Sequence, residues 1–252
     1  MGKVYLVGAG PGAPDLLTLR AARLLEAADV VLHDALVHPR TLALATRARR
    51  VDVGKRNGRV CTEQRFIHRV LVHAASRHDV VVRLKGGDPL LFGRAQEEID
   101  ALAAEGIAVE IVPGVTSALA AAASLGVSLT RRGTARSVAF LTPRTGAGEP
   151  AGDWTRAALA ADTAALYMAA GASATVAAAL LAAGKPADTP VAFVEDASLD
   201  SESRRYATLG ELASRAPRPA RGPVMMLMGE ALRARAALPR RDDEAPLTER
   251  IA

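Results

Sequence analysis

The chain has a single cysteine, Cys61, among 252 residues. One thiol excludes an internal disulfide framework and an all-cysteine zinc site, and it points to a reducing, cytoplasmic compartment. Aromatic residues make up 3%, with four Phe, three Tyr and one Trp. That leaves little for stacking against unpaired RNA bases, so no nucleic-acid partner is expected, and, for want of an apolar span, no membrane partner either. The five histidines, His33, His38, His68, His73 and His78, show no metal-ligand spacing of the H-E-x-x-H kind, and no metal is expected. His68 and His73 fall on one predicted helix, on its solvated face. The first residues lack the charged-then-apolar pattern of a secretory signal. Long apolar runs are missing too. Residues 111–130 and 163–184 carry no charge, but they are built mainly of Ala, Gly, Ser and Thr and are interrupted by glycine. A membrane span needs about 20 predominantly apolar residues; these stretches read as buried strand-plus-helix units.

What is present describes a folded protein. Half of the residues are hydrophobic and 23% are charged, which excludes disorder for most of the chain. The length allows one large domain or two modest ones. The net charge is +5, and of 32 basic residues only four are lysine. The segment from Arg233 onward has five Arg against four acids, so most of the excess lies on the folded body. A basic body suits an acidic small molecule or a nucleic acid and does not choose between them.

Short apolar runs alternate with helical patterns. Strands are predicted at residues 4–7, 29–33, 51–53, 80–84 and 109–112, with helices at 15–27, 65–76, 97–105 and 118–124. Further strands are predicted at 137–141, 164–168, 191–195, 205–208 and 224–228, with helices at 155–160, 173–183 and 209–214 and a glycine- and proline-rich loop at 142–153. This alternation implies α/β architecture. The expected organisation is two α/β domains, residues 1–115 and 116–234, followed by a flexible tail at 235–252. The first sheet should be mostly parallel and the second mixed.

Two glycine loops follow strands. Gly8-Ala9-Gly10-Pro11-Gly12-Ala13 matches G-x-G-x-x-G/A, and Asp34 stands at the end of the second strand, as in a dinucleotide fingerprint. A pyrophosphate, however, is held by backbone N–H groups, and Pro11 and Pro14 have none. The second loop, Lys85-Gly86-Gly87-Asp88-Pro89, lies at the carboxyl end of its strand, where open α/β sheets bind ligands. Paired glycines allow close approach to the backbone, and Asp88 adds an acceptor.

Five segments together resemble one family. They are Val4-Tyr5-Leu6-Val7-Gly8-Ala9-Gly10-Pro11-Gly12 with Leu16-Leu17-Thr18, then Asp29-Val30-Val31-Leu32-His33-Asp34-Ala35-Leu36-Val37, and Val53-Gly54-Lys55-Arg56. The last two are Val82-Arg83-Leu84-Lys85-Gly86-Gly87-Asp88-Pro89 with Phe92-Gly93-Arg94, and Val112-Pro113-Gly114-Val115-Thr116-Ser117-Ala118. The chain resembles the uroporphyrinogen-III C-methyltransferases of the tetrapyrrole methyltransferase superfamily over about residues 4–231. The resemblance implies two α/β domains with the cofactor in the cleft between them, in a homodimer. It also implies transfer of two methyl groups from S-adenosylmethionine to C2 and C7 of uroporphyrinogen III. The products would be precorrin-2 and S-adenosylhomocysteine, on the branch to sirohaem, cobalamin and haem d1. No extra dehydrogenase-ferrochelatase module is apparent, so a monofunctional enzyme is expected.

By the same resemblance the cofactor residues are Pro11, Gly86, Gly87, Asp88, Leu91, Thr116, Ser117, Met168 (ending the strand Leu166-Tyr167-Met168), Ala197 and Val224 beside Gly222-Pro223. Ala197 stands where relatives carry glycine, and a backbone contact there requires a negative φ. Arg94, Glu97 and Arg132 are implied in substrate binding and proton management, with Asp34 as a further candidate. Arginine suits this work because uroporphyrinogen III carries eight carboxylates, which a guanidinium grips in bidentate fashion. His33 replaces a usual Tyr and Ala95-Gln96 a usual Gly-Gly, both in the implied cleft. Without the family, Glu97-Glu98 and Arg131-Arg132 read as surface charges, and Cys61 as structural. RNA methylation, methylation of a later precorrin and non-catalytic nucleotide binding are the competing readings.

Overall fold

The computed structural model describes residues 2–54, 64–146, 152–215 and 220–236. Lys55, Arg56, Cys61, part of the loop expected at 142–153, and all but the first two residues of the expected tail lie outside these. The chain divides into two compact units, Met1–Ser117 and Ala118–Ala252.

The first unit runs β1 (Lys3–Gly8), α1 (Leu19–Ala27), β2 (Val30–His33), α2 (Pro39–Ala43), β3 (Arg49–Asp52), α3 (Gln64–Ala75), β4 (Val80–Lys85), α4 (Ala95–Ala104) and β5 (Val109–Val112). The strands form one parallel sheet in the order β3-β2-β4-β1-β5. Alternation along each strand distributes side chains between two faces. Val4, Leu6, Val30, Leu32 and Val81 pack with Ile67 and Leu71 of α3 and Leu102 of α4. Val7, Val31, Val82 and Leu84 pack with Ala21 and Leu25 of α1. The unit is therefore three layers, helix on sheet on helix.

The helix expected at 15–27 begins only at Leu19, because the Thr18 hydroxyl accepts a hydrogen bond from Ala21 N at 3.2 Å and caps it. Pro14 starts a separate short 3-10 turn, Pro14–Leu16. The sequence reading missed α2. Its start is marked by His38, whose ring accepts from Arg40 N, and by Pro39 at the first position.

The second unit runs α5 (Ser117–Leu125), β6 (Val138–Leu141), α6 (Trp154–Ala160), β7 (Thr163–Leu166), α7 (Ser173–Ala182), β8 (Pro190–Glu195), β9 (Ser203–Thr208), α8 (Leu209–Ala213), β10 (Val224–Gly229) and α9 (Arg233–Ala236). The sheet order is β6-β7-β10-β8-β9. Only β6 and β7 pair in parallel; the other pairs are antiparallel, so this sheet is mixed. Alanines of α5 cover one face with Ala165, Val194 and Leu227. Val176 and Leu180 of α7 cover the other with Leu166, Phe193 and Met226. A full capping box, Thr208 with Glu211, starts α8. Both charge-free stretches resolve into strand and helix, and among the described residues no helix is long and apolar enough to cross a membrane.

Candidate active site

Strands β1 and β4 are neighbours, yet the chain leaving β1 goes on to β2, beyond β4, and the chain leaving β4 goes on to β5, beyond β1. Their loops therefore meet at the carboxyl end of the sheet. Ala9 N donates to the Lys85 carbonyl at 2.7 Å, Gly87 N to the Gly10 carbonyl at 2.8 Å, and Gly10 N back to the Gly87 carbonyl at 3.2 Å. The loop after β5 lies on the same crossing. A Cβ on Gly114 would sit 2.3 Å from the Gly87 carbonyl oxygen and 2.8 Å from Gly8 Cα. Three backbones are thus in direct contact, which only glycine permits. Asp88 staples the crossing: one carboxylate oxygen accepts from Leu90 N at 2.9 Å and the other from Gly114 N at 3.0 Å. Pro11, Gly86, Gly87, Asp88, Leu91, Thr116 and Ser117 all belong to these loops or to the helix start beside them. Gly87 adopts φ +68°, and its missing side chain would lie 3.9 Å from Thr116 Cα.

Beneath the loops lies a layer of charge. Arg83 and Lys85 alternate with Val82 and Leu84 on β4, so both enter the layer between the sheet and α3 and α4. Glu98 of α4, 0% exposed, meets them. Its Oε1 accepts from Arg83 Nε at 3.2 Å, Arg83 Nη2 at 3.1 Å, Lys85 Nζ at 3.0 Å and Gln64 Nε2 at 3.3 Å. Arg83 Nη2 also donates to Asp34 Oδ1 at 2.6 Å. Burial, and then the neighbouring Arg83, push the Lys85 amine below its ordinary range. The surface reading of Glu98 is thus overturned. Positions 95, 98 and 102 of α4 turn inward together, one helical face, whereas Glu97 turns out. His68 also departs from its expected solvated face, because its Nε2 is buried; His73 is exposed.

Arg94 caps α4 with a left-handed backbone, φ +54°, and Phe92 is left-handed too, at +52°. Non-glycine residues held this way cost about 1–3 kcal/mol and cluster at functional sites. The Arg94 guanidinium forks onto Glu97, with Nε to Oε1 and Nη2 to Oε2 both at 2.7 Å. That grip holds the Glu97 carboxyl below the usual carboxylate range, so at neutral pH the pair is a cation and an anion, both exposed. Ala95 turns into the core and Gln96 donates to Asp100 on the helix surface at 2.7 Å.

In the second unit Met168, Ala197 and Val224 gather at one end of the sheet. Strand β7 ends at Leu166, not at Met168, which is left-handed at φ +57° and 49% exposed. Ala197 is buried between Asp196 and Ser198, and these two carry the positive φ values, +52° and +75°. Ala197 is not among the positive-φ residues, so its side chain brings no backbone strain. Glu195, paired with Val224 across β8 and β10, accepts from Gly222 N at 2.9 Å. Arg132 is elsewhere. It sits exposed in the tight turn closed by Arg131 N to the Ala135 carbonyl, 2.8 Å. That turn leads to the amino ends of β6 and β7, where the first residue of β7, Thr163, donates to the Leu129 carbonyl at 2.9 Å. Arg132 is thus at the opposite end of this sheet from Met168.

The profile of the tetrapyrrole (corrin/porphyrin) methylases matches residues 3–213. The chain belongs to the tetrapyrrole methylase family. It is 45% identical over 233 residues to a uroporphyrinogen-III C-methyltransferase of Pseudomonas aeruginosa, covering 92% of this chain and 95% of that protein. It is 42% identical to a siroheme synthase of Azotobacter vinelandii, of whose length it spans 51%. The structure of uroporphyrin-III C-methyltransferase from Thermus thermophilus, complexed with S-adenosylhomocysteine, superposes with a TM-score of 0.82 at 44% identity over 92% of this chain.

For this tetrapyrrole methylase the loops at 8–12, 86–88 and 114–117 form one built structure. Gly114→Ala is expected to force them apart, because the contact at 2.3 Å is with backbone. S-adenosylhomocysteine affinity, measured by titration calorimetry, should fall at least about tenfold, the equivalent of about 1.4 kcal/mol. Affinity within twofold of the parent would show that the crossing is not what shapes the site. The charged layer of Arg83, Lys85 and Glu98 escaped the sequence reading. Its one available signal was two charges alternating on a central β-branched strand that must be covered on both faces.

Proposed function

We propose that this tetrapyrrole methylase transfers methyl groups from S-adenosylmethionine to C2 and C7 of uroporphyrinogen III, yielding precorrin-2 and two molecules of S-adenosylhomocysteine. The supporting observation is the crossing of the three glycine loops at the carboxyl end of the first sheet, beside the Arg94–Glu97 fork. Gly86 and Gly87 offer bare main chain: where a Gly86 side chain would begin, the nearest atom is Leu36 Cβ at 3.4 Å. An extended ligand can lie against such backbone, so these residues fit the donor. In the second unit, Met168, Ala197 and Val224 are the proposed donor-binding residues.

The donor's sulfonium supplies an already activated methyl group. What remains for the protein is alignment, exclusion of water and disposal of one proton. Arg94 and Arg132 are proposed to hold substrate carboxylates. Glu97, ionised and held by Arg94, keeps that guanidinium in one orientation. Once the pyrrole carbon has gained its methyl a proton must leave, and Asp34 is the proposed acceptor. One of its oxygens is bound by Arg83, while among the described residues Oδ2 accepts nothing. The working assembly is proposed to be a homodimer in the cytoplasm, and sedimentation of the purified protein reads its oligomeric state.

The test is anaerobic incubation with uroporphyrinogen III and labelled S-adenosylmethionine, with methyl groups counted by mass. Two methyls are expected. A single methyl would overturn the two-site assignment, and none, with the donor bound, would overturn the substrate and direct attention to RNA or a later precorrin.

A further inference from the structure

Asp34 follows the last residue of β2, and among the described residues its carboxylate is held from another strand. What fixes it comes from β4. Arg83 is 2% exposed at its side chain, Glu98 1% and Asp34 27%, so the guanidinium lies at the floor of the site with only the aspartate reaching toward solvent. Four of its contacts are resolved: Nε and Nη2 to Glu98 Oε1, Nη1 to the Leu84 carbonyl at 3.2 Å, and Nη2 to Asp34 Oδ1. A planar fork bound on three sides cannot swing. Asp34 N donates to the Leu84 carbonyl at 3.3 Å, so the same carbonyl anchors both the backbone of Asp34 and the guanidinium holding its carboxylate.

Glu98 in turn belongs to the first turn of α4, one residue from Glu97, and Lys85 ties it to the end of β4. The Lys85 stem runs under the 88–94 loop, its Cε 3.0 Å from where a Gly93 side chain would begin. The chain of charges Asp34–Arg83–Glu98–Lys85 thus spans from one candidate catalytic carboxylate to the helix start carrying Arg94 and Glu97.

We infer that Arg83, locked by Glu98, is a positioning residue that aims Asp34 Oδ2 at the substrate and holds it in register with the Arg94–Glu97 fork. Arg83 touches no reactant; it acts through Asp34. The inference rests on the proposed methyl transfer and on Asp34 as its proton acceptor.

A double-mutant cycle tests it. Asp34→Asn removes the acceptor and is expected to lower kcat about 100-fold, within the range general bases contribute. Arg83→Lys keeps the charge but loses the fork, and should lower kcat about tenfold with KM and S-adenosylhomocysteine affinity within about twofold of the parent. If Arg83 acts through Asp34, the double variant is no slower than Asp34→Asn alone, because coupled residues are non-additive. Losses that multiply would make Arg83 merely structural and overturn the inference, as would an Arg83→Lys enzyme with unchanged kcat. Should Arg83→Lys not fold, Glu98→Gln, which keeps the shape and one acceptor oxygen, enters the same cycle and is read the same way. Failure of the underlying reading is distinguishable: there the parent enzyme itself transfers no methyl, and the role of Arg83 falls with that of Asp34.

Discussion

Glu98→Ala is expected to destabilise the first unit by about 3–5 kcal/mol, the usual cost of removing one partner from a buried ionic cluster. The reason is local. Glu98 Oε1 is the common acceptor for Arg83, Lys85 and Gln64, and its loss leaves two cations with Asp34 as their nearest remaining anion beside a layer made of Val81, Ile67, Leu71 and Leu102. Lys85 can respond by giving up its proton, since burial already pushes it that way. Arg83 cannot. At 2–4 °C per kcal/mol for a domain of this order, the melting temperature should drop on the order of 10 °C. Urea unfolding followed by circular dichroism checks it, and a change below about 0.5 kcal/mol would mean that water reaches Arg83. Glu98→Gln should cost less, because the amide oxygen still accepts. Replacing Arg83, Lys85 and Glu98 together by apolar residues should restore much of the loss, since buried ion pairs rarely outperform well-packed hydrophobic side chains.

Arg94→Ala is expected to reduce kcat/KM about 100-fold, with S-adenosylhomocysteine affinity within about twofold of the parent. A charged hydrogen bond is worth about 1.5–3 kcal/mol, and a bidentate grip on a substrate carboxylate lies at the upper end. Arg94 sits at the start of α4 and not in the three glycine loops, so the two functions should separate. Alanine adds no backbone strain here, because arginine already carries a Cβ at φ +54°. Arg94→Gly removes the guanidinium and also relieves the strain the parent carries, and should show the same loss of turnover. If either variant is nearly as active as the parent, the guanidinium is dispensable. Equal loss of cofactor binding in both variants would overturn the division of labour between Arg94 and the loops.

Much of this protein is local and therefore legible in the chain. Alternating β-branched runs place β1, β4 and β8. The glycines at 8, 10, 87 and 114 mark where backbones must approach or turn left-handed, and the spacing of Arg94 and Glu97 puts them within reach across one helical turn. Helix starts were less legible where a side chain competes for the backbone: Thr18 divides what hydropathy alone makes one helix. Periodicity also leaves two adjacent glutamates equivalent until a neighbour is known. Glu97 and Glu98 differ in fate because α4 lays positions 95, 98 and 102 on β4, and there two cations wait for an anion. The alternation of strands and helices, the mixed second sheet, the family and the loops that bear its motifs are all legible along the chain. That β2 and β4 are neighbours, that Asp34 therefore rests on Arg83, and that Arg132 lies at the far end of its sheet from Met168 emerge with folding alone. Strand order is set by contacts between residues some 50 positions apart, such as Asp34 and Arg83, and no local pattern of propensity or hydropathy encodes which strands will lie side by side.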